Sequence, residues 1–457
     1  MIGIVMFFTA LFMLIIGFPV AFTFAAVSVF FGIAAGFIEI FSNAGEGELF
    51  MDLLSQGWLE GISMFEFMPF RIFSIQQSTI LMAIPMFIFM GIVLQKTGLA
   101  EKLLESMGFL FGEIRGGVAI STVLVGTLLA ASTGVVGASV VAMGVISLPV
   151  MMKYKYNTPM ACGTICASGT LGQIIPPSIV LIILGDVFQV PVGDLFAAAV
   201  WPGLALVGAY ILYILILSFA NKNMAPAIPS DPNRGSKKKQ VFRALIDIIP
   251  SLTLIILVLG SIFAGVATPT ESAAVGCIGA IALALMYKTF TINMVKEAAL
   301  ESVKVTSMVF GILIGATAFS MVFSYTGGEE IVEHAMLSLP GDEKWGFVIF
   351  TMLAILVLGF FIDFIEISYI IVPILIPVAE TLGINPVWFA ILIAMNLQTS
   401  FLTPPFGFSL FYLKGCAPAG VTTGQIYKGV VPFIAIQIIV LFIVAFYPEF
   451  FGMSADM

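Results

Sequence analysis

Runs of roughly 20 apolar residues follow one another along almost the whole chain. In hydrocarbon a run of that length is satisfied only as a helix, which closes its backbone hydrogen bonds within itself. The chain is therefore constrained to an all-α polytopic membrane protein. Composition agrees: 60% of the residues are hydrophobic and 10% are charged, so no charged, periodic segment is long enough for a large soluble domain. Spans are expected near 2–17, 19–40, 78–95, 158–185, 194–220, 244–266, 270–287, 305–325, 385–413 and 425–447. The opening run, "MIGIVMFFTALFMLIIGFPVAF", lacks a basic start and is followed by more apolar sequence, so it reads as a retained span rather than a signal. A net charge of −8 gives no reason to expect a nucleic-acid partner.

Two further apolar segments, 116–151 and 346–380, each break near the middle and read as re-entrant helical hairpins that enter and leave on one side. With them placed so, all 18 Lys and Arg residues except Arg71 and Lys344 fall on the same side of the membrane. The positive-inside rule makes that side cytoplasmic. Both termini then face the periplasm, and residues 221–243 become a cytoplasmic linker. Two amphipathic stretches, 98–114 and 290–305, are expected to lie in the cytoplasmic interface.

The chain also repeats itself. "GQIIPPSIVLII" (172–183) and "SFLTPPFGFSLF" (400–411) each place a Pro-Pro pair inside an apolar run, and a shift of 228 residues carries Pro176 and Pro177 onto Pro404 and Pro405. The same shift carries Pro149 onto Pro377 and Asn157 onto Asn385; a shift of 229 aligns "QKTGLAEKLLESM" (95–107) with "SYTGGEEIVEHAM" (324–336). An odd number of spans separates Gly98 from Gly327, so residues 1–220 and 244–457 are expected to be inverted repeats. Each would hold a hairpin (116–151, 346–380) and a broken helix (158–185, 385–413). Proline removes a donor and breaks the helix, and broken backbone at membrane depth is tolerated where it lines a cavity. Paired breaks in inverted repeats point to a secondary transporter whose site lies at the breaks, where freed carbonyls suit a small hard cation and half-helix N-termini suit an anion.

The first hairpin tip is "AASTGVVGAS" (130–139), with hydroxyls and glycines where the chain turns; small residues also serve plain helix packing. The second, "GFFIDFIEIS" (359–368), holds Asp363 and Glu366 in an apolar run. Intramembrane carboxylates are functional candidates, with capping of a broken helix as the structural alternative. Glu271 reads as a cap partner at a span start. Cys162, Cys166, Cys277 and Cys416 have no further ligand to complete a metal set, and His334 lies in an exposed amphipathic stretch. No nucleophile–base pair or HExxH motif is present, so the chain is not read as an enzyme.

On "STGVVGASVVAMGVISLPVMMKYKYNTPMACGTICASGTLGQIIPPS" and on "GFFIDFIEISYIIVPILIP" followed by "LQTSFLTPPFG", the chain resembles the large membrane subunit of tripartite ATP-independent periplasmic (TRAP) transporters. The resemblance covers essentially the whole chain. It implies an elevator-type carrier in a bacterial or archaeal inner membrane, driven by a sodium gradient and importing organic anions, chiefly carboxylates. It also implies two partners, a separate small membrane subunit of about four spans and a periplasmic substrate-binding protein. Many members read Ser-Gly-Ser-Ser at the first tip; the different residues here point away from the sialic acid branch. A stand-alone sodium-coupled divalent-anion carrier shares the plan and is the alternative.

Set on that family's plan, Na⁺ ligands are expected from two sites. One takes Thr399, Thr403 and the carbonyls freed before Pro404, facing Gly359 and Asp363. The other, by the repeat, takes Ser132, Thr133 and Gly137 against Ser168, Gly169 and Thr170. Substrate contacts are expected from Ser132, Gly134, Gly172, Asp363, Glu366 and Gly407.

Overall fold

The structure, a computed structural model, describes residues 2–44, 49–133, 136–228, 237–338 and 342–456. These residues are helical almost throughout. The first half holds α1 (Ile2–Ile16), α2 (Val20–Ser42), α3 (Phe50–Ser63), α4 (Met68–Gln77), α5 (Ala83–Lys96) and α6 (Leu99–Phe111). A hairpin of α7 (Gly117–Thr133) and α8 (Val136–Lys153) follows, then half-helices α9 (Thr158–Thr170) and α10 (Ile179–Val187), and then α11 (Val192–Ala220). The second half runs through α12 (Lys237–Phe263), α13 (Pro269–Met286), α14 (Ile292–Tyr325) and α15 (Gly328–Leu337). It continues with α16 (Glu343–Leu358), α17 (Phe364–Glu366) and α18 (Val372–Thr381), half-helices α19 (Pro386–Leu402) and α20 (Phe408–Cys416), and α21 (Thr423–Phe446). Eight of the described helices are long and apolar enough to cross a membrane.

Local chemistry sets the helix starts at matching places in the two halves. Asn157 caps α9, accepting from the Met160 N–H at 3.2 Å; Asn385 caps α19, accepting from Val387 at 3.0 Å and Trp388 at 3.3 Å. Gly98 and Gly327 precede α6 and α15 with φ of 67° and 69°, a left-handed turn that side chains with a Cβ rarely adopt. Thr268 and Glu271 form a reciprocal capping box at the start of α13, so Glu271 is a helix cap.

Two bodies of packing emerge. In one, α2 lies against α3 and α14, α5 against α13 and α14, and α12 against α6 and α13. In the other, α9 packs on α7, α8 and α21, α19 on α11, α16 and α21, and α20 on α8 and α9.

Three segments depart from the sequence reading. The stretch before Ser78, read without elements, forms α3 and α4. Asp52 and Glu60 lower the hydropathy of α3 and hide it, but its glycines Gly57 and Gly61 meet Gly36 and the Ile33 backbone of α2 at separations only small residues allow. The 290–305 stretch is not a separate interface helix: α14 runs unbroken for 34 residues, since no Gly or Pro interrupts the chain between Lys304 and Thr306. Helix α12 begins at Lys237, inside the expected linker.

Candidate functional site

Each Pro-Pro pair opens a gap in a helix. After α9 comes one turn of 3₁₀-helix, Leu171–Gln173, and then irregular backbone to Ser178, which caps α10. Between α19 and α20 the chain turns through Thr403–Gly407, with the Gly407 N–H donating to the Thr403 carbonyl at 3.1 Å. Proline at 177 and 405 removes the donors that would meet the carbonyls of Gln173 and Phe401. Hydroxyls replace them: Ser178 donates to Gln173 O at 2.6 Å and Ser409 to Phe401 O at 2.8 Å. Those two carbonyls are thus engaged, a compensation invisible in the spacing alone.

Each gap is covered by a hairpin. A Cβ on Gly172 would lie 2.8 Å from the Ala130 carbonyl at the end of α7, and one on Gly359 would lie 2.6 Å from Ser400 Cβ in α19. Glycine is required at both places by close approach. Phe361 and Phe364 of the second hairpin pack at a tilt against Phe406 and Phe401, with ring centroids 5.4 and 6.1 Å apart. Asp363 is therefore held beside the second break.

The expected ligand residues fall out as follows. Ser168 and Thr170 are fully buried in α9, each hydroxyl donating back to its own helix, to Ile165 O at 3.0 Å and Ala167 O at 2.9 Å. Gly169 packs on Val140 of α8. Thr399 donates to Met395 O at 2.9 Å and Thr403 to Thr399 O at 2.7 Å. Such hydroxyls spend their proton on the backbone and keep acceptor lone pairs free. Gly359 lies against Ser400, and Thr403, Pro404 and Gly407 share one loop. Gly137 contacts the Tyr412 ring in α20. Gly134 and the side chains of Ser132 and Thr133 lie outside the described residues.

The two carboxylates differ. Asp363 caps α17, accepting from the Phe364 N–H at 2.7 Å, while Glu366 is 5% exposed and its Oε2 has no hydrogen-bond partner among the described residues. A π-helical turn, Ile367–Ile371, follows directly; such turns recur at functional sites.

The sequence reading missed two amides and one ring. Gln173, in the first break, and Gln398, in α19 ahead of the second, are fully buried, with neither amide atom hydrogen-bonded among the described residues. Their polarity within runs that otherwise break only at proline was the available signal. Tyr412 of α20 lies against Gly137 of the first hairpin.

The profile of the tripartite ATP-independent periplasmic transporter DctM component matches residues 5–450. The chain belongs to that family. Its family is that of a transporter component. It is 32% identical over 382 residues to the C4-dicarboxylate TRAP transporter large permease protein DctM of Pseudomonas aeruginosa, covering 83% of this chain and 86% of that one. It is 26% identical over 439 residues to the ectoine TRAP transporter large permease protein TeaC of Halomonas elongata, covering 96% and 95%. Among solved structures, the Alcanivorax borkumensis YdaH transporter matches with a TM-score of 0.64 over 96% of this chain and all of that one. At 13% identity that likeness speaks for the fold alone.

Proposed function

We propose that this chain is the large membrane component of a sodium-coupled importer of small carboxylates in the inner membrane. The substrate arrives on a periplasmic binding protein, and a small membrane subunit completes the assembly. The observation that carries the reading is the pairing of each helix break with a glycine-seated hairpin, Gly172 on Ala130 and Gly359 on Ser400. Broken backbone so enclosed is what an ion and substrate site in hydrocarbon needs. Two breaks give two sodium sites: Thr399, Thr403, Pro404, Gly359 and Asp363 at one, and Ser168, Gly169, Thr170, Gly137 and the first tip at the other. The matched left-handed glycines and Asn caps support two repeats, 1–220 and 244–457, inverted in the membrane with both termini outward.

Transport then follows an elevator path. The moving body extends beyond the hairpins and broken helices to α11 and α21. Gly429 of α21 meets Pro159 and Gly163 of α9 backbone to backbone, and Trp388 Nε1 of α19 donates to Val444 O of α21 at 3.1 Å. The deciding experiment reconstitutes the three components in proteoliposomes and follows carboxylate uptake against external sodium. A sigmoidal sodium dependence that needs the binding protein is expected. Uptake by this chain alone, or uptake indifferent to the sodium gradient, overturns the reading.

A further inference from the structure

A cavity of about 560 Å³ lies on the flank of the second hairpin. One wall comes from α1, α14 and α15, with Phe7, Phe323 and Met336; the other comes from α16 and α18, with Leu353, Ile374 and Leu375. Phe323, Ile374 and Leu375 are 1%, 8% and 6% exposed, so the cavity reaches inside the protein. Leu353 and Val357 also line it, yet they are 58% and 52% exposed and so form its rim. They lie in a stretch, residues 345–362, that carries no charge, so the rim opens on hydrocarbon. No polar or charged side chain among the described residues lines the cavity. That lining decides what can enter. Water needs several polar partners, and large apolar cavities stay dry but accept apolar guests. A carboxylate would lose its hydration with nothing in return. A helix is about 10–12 Å across, so the space holds about one turn of one, too little to seat a partner's span. Left void, the two walls would forfeit their dispersion contacts. A flexible hydrocarbon chain meets none of these objections.

We propose that this cavity seats one acyl chain of a bilayer phospholipid, which enters past Leu353 and Val357 and lies between the second hairpin and the wall of α1, α14 and α15. The chain is recognised and the headgroup is not, because the described lining offers only apolar side chains. The proposal needs only that the protein spans a membrane; it holds whatever ion or substrate is carried.

The test reconstitutes the full chain, with and without its small subunit, in phosphatidylcholine vesicles. The vesicles contain a phosphatidylcholine whose acyl chain bears a photoactivatable diazirine, and adducts are mapped by peptide mass spectrometry. Adducts are expected on Ile374 and Leu375, which lie too deep for lipid that only coats the surface, and on the exposed Ile256 of α12 as a surface control. Ala354 also lines the cavity, and Ala354→Phe should fill it. The Ile374 and Leu375 adducts should then be lost and the Ile256 adduct kept. Moving the diazirine chain onto phosphatidylglycerol should leave the map unchanged. Adducts confined to exposed residues overturn the seat, as do Ile374 and Leu375 adducts that persist in folded Ala354→Phe. Loss of those two adducts when the small subunit is present gives the cavity to that partner and also overturns it. A map that changes with the headgroup overturns recognition of the chain. Should Ala354→Phe not fold, the wild-type map with and without the small subunit carries the test.

Discussion

Helices α12 and α19 are both apolar, yet they solve opposite problems. Residues 244–263 of α12 have 22% of their best spanning window buried, and outward residues such as Ile249, Ile256 and Leu257 are more than 45% exposed. Every residue of α19 from Trp388 to Leu402 is buried. Helix α12 runs through Pro250 without a gap, whereas α19 ends at a Pro-Pro pair and restarts as α20. The difference teaches where a membrane protein can break a helix. A lipid-facing helix must keep its hydrogen bonds to itself. A helix enclosed by protein can open, because hydroxyls such as Ser409 take over freed carbonyls while a hairpin covers the gap.

The contrast can be broken most sharply at glycine. Gly359→Val drives a side chain into Ser400 at the covered break, and transport should be lost, with a clear drop in thermal stability. Gly260→Ala in α12 meets nothing within 4 Å and should leave uptake unchanged while stabilising by about 0.5–1 kcal/mol, the helix-propensity difference. If uptake survives Gly359→Val, the hairpin does not seal the break.

Hydroxyls sharpen the comparison. Thr403 at the break and Thr23 in α2 make the same local bond, to the carbonyl four residues back, at 2.7 and 2.9 Å. Thr403→Val should weaken sodium dependence by about tenfold, on the scale of one lost ligand to a charged group, with Thr403→Ser close to wild type. Thr23→Val should leave sodium dependence alone. Equal sodium affinity in Thr403→Val and wild type would remove Thr403 from the ion site.

The smallest effect is expected at the far end of the unbroken helices. Lys96 bridges Glu297 and Glu301 of α14 at 3.1 and 3.0 Å, but both acids are at least half exposed. Solvent screening limits such pairs to about 0–1 kcal/mol. Lys96→Gln should therefore shift the unfolding midpoint only slightly, and less still in high salt. A large shift would mean that the link holds the helices in register.

Much of this was legible in the residues. Apolar runs and their prolines located the long helices, the hairpins and both breaks, because hydrocarbon leaves the backbone so few choices. Helix α3 escaped because its acids disguise it, and its partner glycines matter only once α2 is alongside. The unbroken α14 escaped because an amphipathic start and an apolar end read as two elements, although nothing in the chain separates them.

By itself the sequence determined that the chain spans a membrane, that its two halves carry matching Pro-Pro breaks, and that small and hydroxylated residues gather beside them. These are covalent facts about donors removed and side chains absent. Tertiary structure alone decided which freed carbonyls were already engaged, that α11 and α21 pack with the broken helices, and that Gln173, Gln398, Glu366 and Tyr369 are buried with polar atoms lacking hydrogen-bond partners among the described residues. Burial and partnership depend on what packs around a residue from distant parts of the chain, and no local spacing encodes that.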